Sequence, residues 1–227
     1  MTDAHYHRDG YATFLSLGDR EFRFYGLHPW QASALGEAAL LPLREKISAD
    51  PHVGVGEIGL DRLKEKTISP AQRAAFAAQL EIAAEFGRPV VLHGAKCWGE
   101  VVAVCRPYAG RIPAFLFHGF SRSGGLLPDI AALNGFVGVG AALLNDHAVN
   151  YRALVREVPI ERVLVETDAD YGRAGARPSQ CGSLGRAGAR PSPEEIMCKL
   201  AELRGMESAA LEAVVDANAA RFVEVLA

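Results

Sequence analysis

A chain of 227 residues, 49% of them hydrophobic, can bury one large core, and this length suits a single α/β barrel. The formal net charge of -3 and a pI near 6.2 exclude a global polycation that holds nucleic acid by neutralising phosphates, so any polyanion must be held locally. No apolar stretch approaches the ~20 residues needed to span a bilayer. Met1-Thr2-Asp3 does not begin a signal peptide, and Cys97, Cys105, Cys181 and Cys198 show no CxxC pairing, so a cytoplasmic setting with no membrane partner is expected.

The chain opens on Asp3-Ala4-His5-Tyr6-His7, where alternation across a strand puts both imidazoles on one face. Thr13 to Leu17 and Phe22 to Gly26 flank Gly18-Asp19 and predict a hairpin or two short strands. The apolar run Val53 to Gly56 then ends in Glu57. Ser69 and Pro70 supply an N-cap and first-turn pair, Phe76, Leu80, Ala83 and Ala84 keep helical spacing, and Gly87 closes that helix. The run Val90 to Leu92 ends in His93. A helix is predicted from about Trp98 to Tyr108, and the strand Ala114 to Phe117 after it ends in His118. An apolar stretch through Leu126 to Leu133, a strand around Phe136 to Val139 and a helix near Asp146 to Val158 follow. The strand Arg162 to Glu166 leads to Asp168.

Beyond Asp168, Gly172-Arg173-Ala174-Gly175-Ala176-Arg177-Pro178-Ser179 recurs as Gly185-Arg186-Ala187-Gly188-Ala189-Arg190-Pro191-Ser192. This is a tandem duplication, and its glycine, serine and proline content predicts a loop over about 170–192. Two roles stay open for it: its four arginines form a local phosphate-binding flap, or it is a solvated insertion without function. Ser192 with Glu195 makes a capping box around Pro193 for a helix to about Leu203. Ser208 to Val215 and Ala217 to Val225 are expected as a closing helical pair.

The strands read as continuous apolar runs rather than alternating ones, as parallel strands covered on both faces do. Alternation of such strands with helices predicts an α/β, TIM-like (β/α) barrel over residues 1–227. Seven or eight strands are expected, with the ring distorted or shortened between the first of them. Catalytic groups of such barrels lie at the C-terminal strand ends, where Glu57, His93, His118 and Asp168 each fall. Five of the seven histidines, His5, His7, His28, His93 and His118, lie at these positions. A single histidine ending a strand is more often a hydrogen-bonded core residue than a ligand; the set together predicts a metal site.

Asp3 to His7, Gly26-Leu27-His28-Pro29-Trp30, Gly56-Glu57-Ile58-Gly59-Leu60-Asp61, Pro89 to His93, Phe117-His118-Gly119-Phe120-Ser121 and Glu166-Thr167-Asp168 resemble, in order, the motifs of the TatD family of metal-dependent hydrolases and deoxyribonucleases. Asn218 to Phe222 resembles that family's closing helix. The resemblance implies a binuclear centre of the amidohydrolase type. His5, His7 and Asp168 hold one divalent ion, His93 and His118 the other, and Glu57 bridges the two. Imidazole and carboxylate together suit Zn²⁺ and Mn²⁺ by softness, and Mg²⁺ less well. The implied reaction is hydrolysis of a phosphodiester bond, foremost in single-stranded DNA, by metal-activated water. Its catalytic residues are Glu57, Asp168, which orients the water and accepts its proton, and His28, which contacts the substrate phosphate. Two alternatives stand beside it: a small-molecule metallohydrolase acting on a phosphoester, lactone or amide, and a metal-binding protein without catalysis, against which the intact ligand set argues. Asp61 reads equally as part of its motif and as a solvated cap residue, Lys96 as a solvated loop residue, and His52 and His147 as surface histidines.

Overall fold

The computed structural model describes residues 1–8, 12–35, 37–63, 66–121, 124–170 and 191–227. Among the described residues, strands β1 (Thr2–Arg8), β2 (Ala12–Leu17) and β3 (Arg20–Tyr25) follow one another without a helix. Helices α1 (Pro29–Leu35) and α2 (Leu40–Ala49) precede β4 (Val53–Asp61). The chain then alternates regularly through α3 (Pro70–Phe86), β5 (Val90–Ala95), α4 (Trp98–Cys105), β6 (Phe115–Phe117), α5 (Leu127–Ala132), β7 (Gly135–Val139) and α6 (Val149–Glu157) to β8 (Val163–Val165). A two-residue strand β9 (Ala169–Asp170) and helices α7 (Pro193–Arg204) and α8 (Ser208–Phe222) complete it.

The strands form one sheet in the order β8-β7-β6-β5-β4-β3-β2-β1-β9. Because β9 follows β8 after three residues and pairs in parallel with β1, the two short strands occupy one place in the ring and all but close it. The fold is thus an eight-stranded TIM-like barrel. Gly18-Asp19 makes the expected hairpin: β2 runs antiparallel to β1, and β3 antiparallel to β2 and parallel to β4. The barrel is irregular on that side, where a strand pair stands in place of a strand-helix unit.

Local signals set most helix ends. Ser69 accepts the N–H of Gln72, Pro70 opens α3, and Gly87 at φ +61 supplies the left-handed C-cap. Ser192 and Glu195 form the capping box of α7. The expected break within the last helical pair is absent. Asp216 lies inside a continuous α8, where its carboxylate accepts Thr2 Oγ1–H at 2.7 Å, and neither Gly nor Pro interrupts the turn. Phe222 of α8 packs on Phe24 and Phe136, and Asn218 Nδ2 donates to the carbonyl of Val163 at the start of β8. This helix therefore fills the barrel end away from the C-terminal strand ends. The duplicated segment's arginines lie outside the described residues. Among the described residues no helix is long and apolar enough to cross a membrane.

Candidate active site

The C-terminal strand ends bring all seven predicted residues around one cavity of about 290 Å³, lined by His7, His28, Glu57, His93, His118 and Asp168, with His5 buried beneath. Glu57 lies at its centre. It is not at the end of its strand, as the sequence predicts. β4 shifts register between Val55 and Ile58 and continues to Asp61, so Glu57 sits at an irregularity in mid-strand. Its two oxygens face different partners. Oε1 is 2.6 Å from His93 Nδ1 and 3.9 Å from His118 Nε2, while Oε2 is 3.6 Å from His5 Nε2 and 3.8 Å from His7 Nε2. Burial pushes the Glu57 carboxyl up, but the facing imidazoles of His5 and His93 and the charge of His118 outweigh it and hold it well below its usual range.

His5 is completely buried, and neither ring nitrogen has a hydrogen-bond partner. Buried polar atoms are nearly always paired, so an orphaned imidazole facing two carboxylates needs an explanation. Its Nε2 lies 3.7 Å from Asp168 Oδ1, and its ring is 3.8 Å from that of His118. Burial and the neighbouring His118 lower its pKa, which keeps a lone pair available. Asp168 Oδ1 also lies 3.3 Å from His7 Nε2 and 3.9 Å from His118 Nε2. Its backbone is left-handed at φ +52, and its N–H donates to the carbonyl of His5. Thr167 fixes that turn by donating its N–H and hydroxyl to Asp3, at 2.9 and 2.7 Å. Burial raises the Asp168 carboxyl, yet the His7 hydrogen bond and the His118 and His5 charges bring it down to about 2.

Asp61 is no solvated cap. Its side chain is buried, with Oδ2 at 2.8 Å from His93 Nε2 and accepting the indole N–H of Trp30 at 2.8 Å. Positions 57, 59 and 61 share a strand face, a signal the sequence does carry. Between them Gly59, at φ +148, lets the His93 backbone approach where a Cβ would collide with it. His93 thus has its two ring nitrogens against two carboxylates; burial lowers its pKa, but the Glu57 and Asp61 contacts raise it on balance. His28 arrives from the end of β3. Its Nδ1 accepts the Trp30 backbone N–H at 3.2 Å, which places the proton of the neutral ring on Nε2. Burial, with the nearby His93 and His7, lowers its pKa to about 4, so His28 is a neutral N–H donor at neutral pH.

Glu166, a strand-end carboxylate beside Asp168, has no place in the ligand set that the sequence predicts. Oε1 accepts the Gly119 N–H at 2.7 Å and lies 3.0 Å from His118 Nδ1. This turns His118 Nε2 toward Glu57 and Asp168. Burial would lower the His118 pKa, but the charge and hydrogen bonding of Glu166, with Glu57 and Asp168, raise it to about 10. Three overlapping groups of potential ligands result: His5 with His7 and Glu57, His5 with His118 and Asp168, and His28 with Glu57 and His93. His93 and His118 fall in separate groups, joined through Glu57 Oε1. Lys96 and His52 are exposed, as expected of them.

A sequence model of the TatD related DNase family matches residues 3–224. The 3'-5' ssDNA/RNA exonuclease TatD of Pectobacterium carotovorum subsp. carotovorum (strain PC1) is 32% identical over 198 residues, 86% of this chain and 75% of that protein. The protein of the same name from Edwardsiella piscicida is 33% identical over 147 residues, 64% of this chain and 56% of its own length. A solved TatD homolog from Escherichia coli k12 superposes with a TM-score of 0.72 at 24% identity, covering 88% of this chain and 75% of the other. A Saccharomyces cerevisiae amidohydrolase structure gives a TM-score of 0.62 at 17% identity, covering 83% and 72%. With its motifs in order along one barrel and a family match over nearly its whole length, this chain belongs to the TatD related DNase family.

Proposed function

We propose that the chain acts as one domain, a divalent-metal-dependent nuclease that hydrolyses phosphodiester bonds in single-stranded DNA or RNA. The observation that carries this reading is the division of Glu57, whose Oε1 faces His93 and His118 while Oε2 faces His5 and His7. A carboxylate so placed is suited to bridge two ions, and the orphaned nitrogens of buried His5 fit a metal ligand. His5, His7 and Asp168 would hold one ion and His93 and His118 the other; Zn²⁺ and Mn²⁺ suit this donor set best, and Mg²⁺ less well. Ions bound there supply Lewis acidity, acidifying water and offsetting phosphate charge.

The chain's own residues do the rest. Asp168 is more than half exposed at the cavity mouth and ionised, so it can orient a water and hold the proton it loses. Neutral His28 presents Nε2–H to a phosphate oxygen. Asp61 and Glu166 orient His93 and His118 by holding the ring nitrogen that faces away from Glu57. The cysteine spacing supports work in a reducing cytoplasm. Among the described residues the cavity lining contains no lysine or arginine, which favours a small phosphoester as the second reading.

One assay separates the two. The full chain is stripped with chelator and given Mg²⁺, Mn²⁺ or Zn²⁺ with labelled single-stranded DNA and RNA, beside a Glu57→Ala, Asp168→Ala double variant. Metal-dependent cleavage by the parent alone is expected. Binding of two ions without oligonucleotide cleavage, but with hydrolysis of bis(p-nitrophenyl) phosphate, would replace the nuclease reading with the second.

A further inference from the structure

We propose that Trp30 is the stacking platform of this site, receiving a nucleobase of the strand whose phosphate lies at His28. The inference rests on the nuclease reading and adds what holds the strand. Trp30 lines the cavity and is 49% exposed, whereas Trp98 is 2% exposed inside the core. Among the described residues, the other exposed large hydrophobics, Leu41, Leu63, Val149 and Val225, are all aliphatic. An indole left half in water beside a catalytic cavity is apolar surface that a ligand can cover.

The ring is also fixed in place. Its Nε1–H donates to Asp61 Oδ2, and its backbone N–H to His28 Nδ1. The His28 ring stands edge-on to it, with centroids 4.7 Å apart and planes at 72°. A base that stacks on Trp30 therefore needs no ordering of the protein and sits beside the proposed phosphate donor. The cavity lining, as described, contains no lysine or arginine to hold a phosphate. Stacking meets that need without reading sequence, because every base presents a π-face.

The test uses the full chain loaded with Mn²⁺, titrated with a hydrolysis-resistant phosphorothioate thymidine hexamer and with the same backbone lacking bases. Affinities are read from the anisotropy of a fluorescein label on the strand, which serves the Trp30 variants as well; in the parent, where Trp98 is buried, quenching of intrinsic fluorescence reports on Trp30. Binding of the base-bearing strand should quench fluorescence and be about 5- to 140-fold tighter than binding of the abasic one. Trp30→Ala should bind both strands equally, at the abasic level. Trp30→Phe, which keeps a ring and loses the N–H, should restore most of the difference. Equal affinity of the parent for both strands, or discrimination that survives in Trp30→Ala, overturns the platform. Oligonucleotide cleavage with such equal binding leaves the nuclease reading intact; neither binding nor cleavage removes both.

Discussion

Replacing Gly138 by alanine puts one methyl group into the space that the Glu166 carboxylate occupies. A Cβ there collides with Oε2, Oε1 and Cδ of Glu166, which is 1% exposed and has little room to retreat. The carboxylate must leave its contacts with the Gly119 N–H at 2.7 Å and with His118 Nδ1 at 3.0 Å. Losing a charge-assisted hydrogen bond costs ~1.5–3 kcal/mol, against which removal of a glycine from the unfolded chain returns ~0.4–1 kcal/mol. The net loss of roughly 0.5–2.5 kcal/mol lowers the melting temperature by ~1–10 °C in a chain of this size. The sharper effect falls on metal affinity. A displaced partner of a ligating histidine weakens binding ~10- to 100-fold, which calorimetric titration of the chelated protein with Zn²⁺ resolves. Gly140→Ala is the control, because its Cβ would meet Glu166 no closer than 3.6 Å, an ordinary contact, and it should behave as the parent. Glu166→Gln should reproduce the affinity loss. Parental Zn²⁺ affinity in Gly138→Ala, with a native circular dichroism spectrum, would refute the role given to Glu166.

Four further outcomes follow from the same contacts. His118, raised to about 10 from an ordinary value near 6.5, is protonated in the metal-free protein at pH 7.5; metal binding should release its proton, seen as a buffer-dependent binding enthalpy, and an enthalpy identical in Tris and phosphate argues against it. Because its folded pKa is the higher one, the stability His118 contributes without metal is complete below about pH 6.5 and lost as pH rises through about 10, so chelated protein should unfold at progressively lower urea across that window. Asp61→Asn removes the charge behind His93 Nε2 and should weaken metal binding ~10- to 100-fold with less than ~3 °C change in melting, while equal affinity in both proteins would reduce Asp61 to a structural acceptor. Metal at 100 times its dissociation constant should stabilise the parent by ~2.7 kcal/mol, or ~5–11 °C, and leave Glu57→Ala unmoved; equal shifts in both would place the ions elsewhere.

What the sequence makes legible is governed by how local its causes are. Runs such as Val90 to Leu92 and Phe115 to Phe117 read as strands because both faces are buried, and Ser69, Pro70 and Gly87 mark α3 without reference to the rest of the chain. Helices α1 and α2 go unread, since only Leu43 and Ile47 of α2 are buried and Pro42 lies within its first turn. The continuity of α8 is missed because Asp216 looks like a break and is in fact held by Thr2, far away in the chain. The site divides in the same way. Residues that face the cavity can be collected from motifs, but whether Asp61 is solvated or bonded to His93, and whether Glu166 touches His118, depends on partners 32 and 47 or more residues distant.

The short first side of the barrel obeys a parity constraint that bears on the site. Residues 8–27 are too few for a strand flanked by two helices, and β2 instead runs antiparallel to β1. One reversal alone would deliver the next loop to the wrong end of the ring, beside Phe222 and Asn218 rather than Glu57. The second reversal, at Gly18-Asp19, restores β3 to the common direction, as its parallel pairing with β4 requires. His28 can therefore stand at the same end as His5, His7 and His93, with its ring 4.5 Å from that of His93. The inverted strand contributes its beginning to the cavity instead of its end, which is why Thr13, paired with His7, lines the wall there with its hydroxyl buried and unbonded. A helix can be lost from such a ring without losing the site, provided strand direction is reversed an even number of times before the next ligand-bearing loop.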